Sequence, residues 1–128
     1  MAIRIVRLGS RRLRGEGLRV GTVRRPPRGV PKNEYASHDF YDVWLPELAP
    51  SEALVKAALS ARDARAWRSF VRRYRSEMKR PPAARLLKLL AALSHHTSLS
   101  VGCYCEEEAR CHRLVLGALL AEQGASLQ

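Results

Sequence analysis

The stretch Ser98 to Leu120, SLSVGCYCEEEARCHRLVLGALL, restricts the fold of this chain more than any other. Leu99, Val101 and Cys103 alternate with Ser98, Ser100 and Gly102, which is the period of a strand. From Arg110 or Cys111 onward, Leu114, Val115, Leu116, Ala118, Leu119 and Leu120 form a helix that is apolar on most sides, and Gly124 supplies its C-terminal cap. A strand passing through a short polar loop into a buried helix is the rhythm of a parallel sheet, whose neighbouring strands need helical crossovers. Ligands of such sheets collect at the carboxyl ends of the strands. All three cysteines, Cys103, Cys105 and Cys111, lie in this stretch, beside Glu106, Arg110, His112 and Arg113.

The rest of the chain supplies partners for that unit. Ala2 to Leu8 alternates as a short strand, and SRRLRGEG (Ser10 to Gly17) is a charged, glycine-punctuated connection. Leu18 to Val23 is a second strand that runs into RRPPRGVPK, where four prolines and glycines forbid regular structure and present Arg24, Arg25 and Arg28 on a stiff loop. Phe40 to Leu45 is a third strand, with Trp44 expected in the core. Ser51 caps a helix carrying Leu54, Val55, Ala58 and Leu59. Trp67, Phe70, Val71, Tyr74 and Met78 then recur at helical spacing between an Asp63 cap and a Pro81 stop, with arginines 65, 68, 72, 73, 75 and 80 on the other face. Pro82 opens a third helix, buried by Leu86, Leu87, Leu89, Leu90 and Leu93, and His95 and His96 suit its C-terminal end. Four mostly parallel strands with helices packed on the sheet, an α/β layered fold in one domain spanning 1–128, is the expected architecture.

The longest mostly apolar run, Leu114 to Ala121, is too short to cross a membrane, and the N-terminus lacks the apolar core of a signal peptide, so the cytoplasm is expected. An odd number of closely spaced cysteines does not make a disulfide framework, and reduced thiols are expected. The net charge is +11. Only Lys32, Lys56, Lys79 and Lys88 of the 23 Lys and Arg residues are lysines, which leaves 19 arginines. The guanidinium fork matches phosphate and carboxylate, so an anionic partner is indicated, although a compositional bias toward arginine and alanine explains the count as well.

If the fourth strand ends near Cys103, residues 104–110 form a loop at the sheet's carboxyl edge, and Cys111, His112 and Arg113 open the helix. Its free N–H groups and dipole favour an anion, and a thiol there should have its pKa lowered. Cys111 is then a candidate nucleophile or redox-sensitive thiolate, His112 an acid or base, and Cys103 a second thiol, with Arg110 or Arg113 holding an anionic group. The spacing is no phosphatase signature, since only four residues separate Cys105 from Arg110 where the cysteine phosphatase loop has five. Zinc is a competing reading for Cys103, Cys105, Cys111 and His112, but adjacent Cys111 and His112 should point different ways from a helix start. No metal and no cofactor are therefore expected. The plainest alternative makes Cys103 and Cys111 small core residues.

The pieces IRIVRL, RVGTVRRPPRG, Trp44 with Leu48 to Ser51, the helix bearing Trp67, Phe70, Arg73, Tyr74 and Glu77, and the closing Cys103, Glu106 and Cys111 to Arg113 together resemble the bacterial family called domain of unknown function 488. That resemblance implies a compact α/β domain with no established activity. The family's aspartate falls on Val23 and its tryptophan on Pro26, so no acid–base or stacking duty carries over to those positions. Arg24, Arg28, Gly29, Ser51 and the CHR triplet are retained. On this reading Arg24, Arg28, Ser51, Cys103, His112 and Arg113 meet at one sheet edge and receive a phosphorylated or carboxylated small molecule or a nucleotide. A nucleic-acid-binding module without catalysis is the alternative, and it requires the arginines of 65–80 and 11–14 to join into one stripe. No membrane partner is expected.

Overall fold

A computed structural model describes residues 1–60, 62–105 and 111–128. Four strands, β1 (Ile3–Arg7), β2 (Leu18–Gly21), β3 (Val43–Trp44) and β4 (Leu99–Cys103), form one sheet in the order β1-β4-β2-β3. Every pair is parallel. Four helices, α1 (Glu52–Ser60), α2 (Ala64–Met78), α3 (Ala83–Leu93) and α4 (His112–Glu122), accompany the sheet. The α/β fold class is as the strand and helix periods predict. β3 is shorter than expected, because Phe40 and Tyr41 leave the ladder to pack against Leu8, Val23 and Cys103.

β4 lies between β1 and β2 and is buried at every residue. Its two faces differ. Val101 and Leu99 join Val20, Phe70, Tyr74, Leu90 and Leu116 in the main core, so α2, α3 and α4 cover that side. On the opposite side, one residue out of phase, Ser100 and Arg19 meet the carboxylate of Glu16. Arg19 forks onto both Glu16 oxygens at 2.8 and 2.9 Å and donates to the carbonyls of Ser10 and Asp39. The pair is buried yet hydrogen-bonded throughout, which is what makes a charge tolerable there. The loop of residues 9–16 is thereby fastened over the sheet.

Helix α2 is capped as its sequence predicts, with Asp63 accepting from the Ala66 N–H at 2.8 Å. Trp67 stacks on Phe70 and Phe70 on Tyr74 along its apolar face. The C-terminal tail returns to the sheet edge, where Ile3 N–H donates to Ser126 and Gln128 N–H donates to Ile3. Trp44 departs from expectation. It is 42% exposed, its indole N–H donating to the Val23 carbonyl at 2.7 Å. An edge strand of two residues has too little neighbouring sheet to enclose an indole.

A Cβ on Gly102 would stand 2.2 Å from the Val6 carbonyl oxygen of the neighbouring strand. Gly102→Ala is therefore expected to destabilise the protein by about 1–3 kcal/mol or more, read from urea denaturation. Glu16→Gln should cost about 3–5 kcal/mol by leaving Arg19 buried without its counter-charge. Burial alone would raise the Glu16 pKa, but the hydrogen bonds from Arg19, Leu13 N–H and Ser100 outweigh it and hold the group below its ordinary 4.5. Its stabilising contribution is thus present above that value and lost as pH falls through the folded-state value. Urea midpoints measured from pH 6 to pH 3 should fall less steeply in Glu16→Gln than in the parent.

Candidate functional site at the carboxyl edge of the sheet

Because all four strands run the same way, the segments that follow β2, β3 and β4 emerge on one edge. They enclose a cavity of about 520 Å³. The loop after β2 contributes Val23, Arg24, Arg25 and Arg28, the turn before α1 contributes Pro50, and α1 itself contributes Glu52, Val55, Lys56 and Leu59. Cys103, Tyr104 and Cys105 come from the end of β4, and His112 from the first position of α4.

The walls are held by hydrogen bonds that use up several of the sequence-predicted ligands. Arg24 donates to the carbonyls of Pro50 at 3.0 Å and Ala49 at 3.1 Å. Tyr74 donates to Leu48 at 2.7 Å, and Glu77 accepts from the Ser51 N–H at 2.9 Å. Two helical residues and one loop arginine thus clamp the Leu48–Ser51 turn. Ser51 itself caps α1, its hydroxyl accepting from Leu54 N–H. Arg24 and Ser51 build the wall. Arg113 is buried and donates to the Val6 carbonyl at 3.4 Å, which likewise turns it inward. Arg110 lies outside the described residues, as does Glu106.

Among the described residues, three cations remain at the rim. Arg28 is exposed and has no hydrogen bond or ion pair among the described residues, and Lys56 is similarly placed on α1. Arg25 pairs with Glu52 at 2.8 Å, both side chains largely in solvent, where such a pair is weak and exchangeable. Lys56 and Tyr104 are lining residues that sequence reasoning did not single out, and Arg25 was placed on the stiff loop without a site role. Arg25 had a signal, since it stands in the same proline-stiffened run as Arg28. Lys56 had none, because only the packing of α1 carries it to the rim.

At the floor stand the Cys103 sulfur and the His112 imidazole, with the Cys111 sulfur behind them. The Sγ atoms of Cys103 and Cys111 are in direct contact, and with a ring nitrogen of His112 they form a set whose members all lie within 4.8 Å of one another. The expectation that Cys111 and His112 diverge is corrected here. It assumed helical backbone at both, whereas Cys111 is extended at φ −122° and ψ 144° and the helix begins only at His112. The break in backbone geometry turns both side chains to the same side. Cys111 is 1% exposed and does not line the cavity, so of the two paired cysteines only Cys103 borders it. Cys105 is exposed.

His112 is oriented from behind. Thr22 is locked to β4 by its N–H and hydroxyl, which both donate to the Gly102 carbonyl at 3.0 and 2.9 Å. Its own carbonyl lies 2.7 Å from His112 Nε2. A carbonyl can only accept, so Nε2 carries the proton and Nδ1 the lone pair. The ring meets Tyr74 edge-on at 5.6 Å. Burial pushes the His112 pKa down to about 4, against the Thr22 hydrogen bond and with the Arg113 charge, so the ring is neutral at pH 7. Burial raises the Cys105 thiol too, and Arg113 only partly offsets it. Burial lifts the nearby Tyr41 hydroxyl to about 12, and that hydroxyl has no hydrogen-bond partner among the described residues.

The family described as "Active DUF488-N3 subclade" matches residues 3–124. The chain belongs to the DUF488 family. No curated protein and no solved structure matches it. In this DUF488 domain the CHR triplet has three separate fates: Cys111 meets Cys103, His112 faces the cavity, and Arg113 is turned to the β1 carbonyl. No helix is long and apolar enough to cross a membrane among the described residues.

Alkylation of the folded protein should follow this burial. Cys105 is expected to react alone, and more slowly than a free thiol at pH 8, while Cys103 and Cys111 react only on unfolding. Mass-spectrometric mapping with and without urea checks this. Modification of Cys111 in the native protein would contradict the placement.

Proposed function

We propose that this domain binds a phosphorylated or carboxylated small molecule, or a nucleotide, in the cavity at the carboxyl edge of the sheet. The observation that carries the reading is the trio of rim cations, Arg25, Arg28 and Lys56, above a sulfur–imidazole floor at the end of the central strand. An anionic group held at the rim would direct the remainder of the ligand past Val23, Val55 and Leu59 toward His112. His112, held by the Thr22 carbonyl and bordering the cavity, is where the remainder of the ligand would end. Catalysis on the bound molecule is a further step that the pocket is compatible with. The cytosol, rich in such metabolites, is the compartment this reading implies.

The nucleic-acid reading draws less support. Arg65, Arg68, Arg72 and Arg73 are exposed on α2, which packs on the Val20 and Val101 side, whereas the loop of residues 9–16 covers the Arg19 side. Arg12 is also engaged, at 2.8 Å from Asp42. The two arginine groups flank opposite faces of the sheet.

Calorimetric or NMR titration with inorganic phosphate and with nucleoside monophosphates tests the proposal. Saturable binding is expected, weakened roughly 10-fold or more in Arg28→Ala, the loss of one charge-assisted hydrogen bond. Absence of saturable binding, or binding indifferent to Arg28, removes the reading. Affinity for any oligonucleotide that falls steeply with salt and exceeds that for the small anions would favour the alternative.

A further inference from the structure

Two sulfurs in contact in a protein interior are buried thiols, a disulfide or two ligands of one metal ion. The backbone bears on the disulfide. The Cα atoms of Cys103 and Cys111 are 7.9 Å apart, beyond the roughly 4.4–6.8 Å that a disulfide spans without backbone movement. A shared ion tolerates the wider Cα spacing, provided the two sulfurs, in contact here, part to make two Zn–S bonds of about 2.3 Å each. The third member of the set is an imidazole whose other nitrogen is tied to a backbone carbonyl, the outer-sphere arrangement that fixes a metal-binding histidine in one tautomer and orientation. Leu8, Val23 and Tyr41 pack with the two cysteines in one buried cluster.

From this geometry we infer that Cys103, Cys111 and His112 form a metal site for a borderline-soft divalent ion, zinc in the first place. Cys103 and Cys111 bind as thiolates, each releasing its proton, so their two charges balance those of the ion. His112 binds through Nδ1. Two sulfurs and one nitrogen select zinc over hard cations such as magnesium or calcium. Three protein ligands leave one tetrahedral position, and the side of the set bordered by Cys103 and His112 is the side that opens on the cavity. That position admits water or a ligand atom. The inference does not rest on anion binding at the rim, because Arg28 and Lys56 take no part in it.

The test uses the full chain, purified under reducing conditions without chelator. Elemental analysis should find about one zinc per chain. Cobalt substitution should produce a thiolate-to-cobalt charge-transfer band together with the visible bands of a tetrahedral ion. Both signals should disappear in Cys103→Ser and in His112→Ala, while Cys105→Ser retains its metal. If the buried-site variants do not fold, the cobalt spectrum of the unaltered chain decides by itself. A folded, reduced chain that takes up neither zinc nor cobalt overturns the inference. So does a metal that survives in folded Cys103→Ser, or a metal-free protein that carries a Cys103–Cys111 disulfide. Phosphate titration of Arg28→Ala reads the rim separately, so loss of one site does not mask loss of the other.

Discussion

Burial of β4 between two parallel neighbours is the constraint from which the rest of this structure follows. A strand with no solvent-exposed residue must satisfy every backbone group through β1 and β2, and it must be covered on both faces. Gly102 permits the close approach of β1, since any side chain there would collide with the Val6 carbonyl. Parallel pairing in turn forces each connection to cross the sheet. The connections after β2, β3 and β4 therefore all start from the same edge, and the cavity is the space they leave.

The two faces of the sheet do different work. Helices supply hydrocarbon to one, and the Glu16–Arg19–Ser100 network anchors a loop on the other. The buried ion pair fixes the position of that loop more than it adds stability, because desolvating two charges offsets much of their attraction. The same logic holds at the pocket wall. Arg24, Tyr74 and Glu77 spend their polar atoms on the backbone of residues 48–51, and that turn then starts α1 with Lys56 directed at the rim. Motif residues that look like ligands in a linear reading are thus fasteners for the segment that carries the pocket.

His112 joins the two levels of organisation. Its ring is wedged against Tyr74, held by Thr22, and set beside the paired sulfurs. Each contact comes from a different element, so the imidazole can be placed only when α2, the end of β2 and the start of α4 are all docked. A neutral, single-tautomer histidine at the floor and exchangeable cations at the rim make a pocket with two chemically distinct ends.

Much of this architecture was legible in residue order. Alternation at Leu99–Cys103, the spacing of Trp67 to Met78, and Asp63 and Ser51 as caps are local patterns, and local patterns survive whatever the chain does elsewhere. The same locality explains the misreadings. Trp44 reads as core because it lies in an aromatic, branched strand with no second aromatic at stacking spacing, yet its exposure depends on standing at a sheet edge. Cys111 and His112 looked divergent because helical geometry was assumed one residue too early. Sequence alone determined the elements, their order, and the concentration of reactive side chains between β4 and α4. Tertiary structure decided which cations face the cavity, which are spent on carbonyls, and that Cys103 meets Cys111, because those outcomes depend on strand order and helix docking, which join residues distant in the chain.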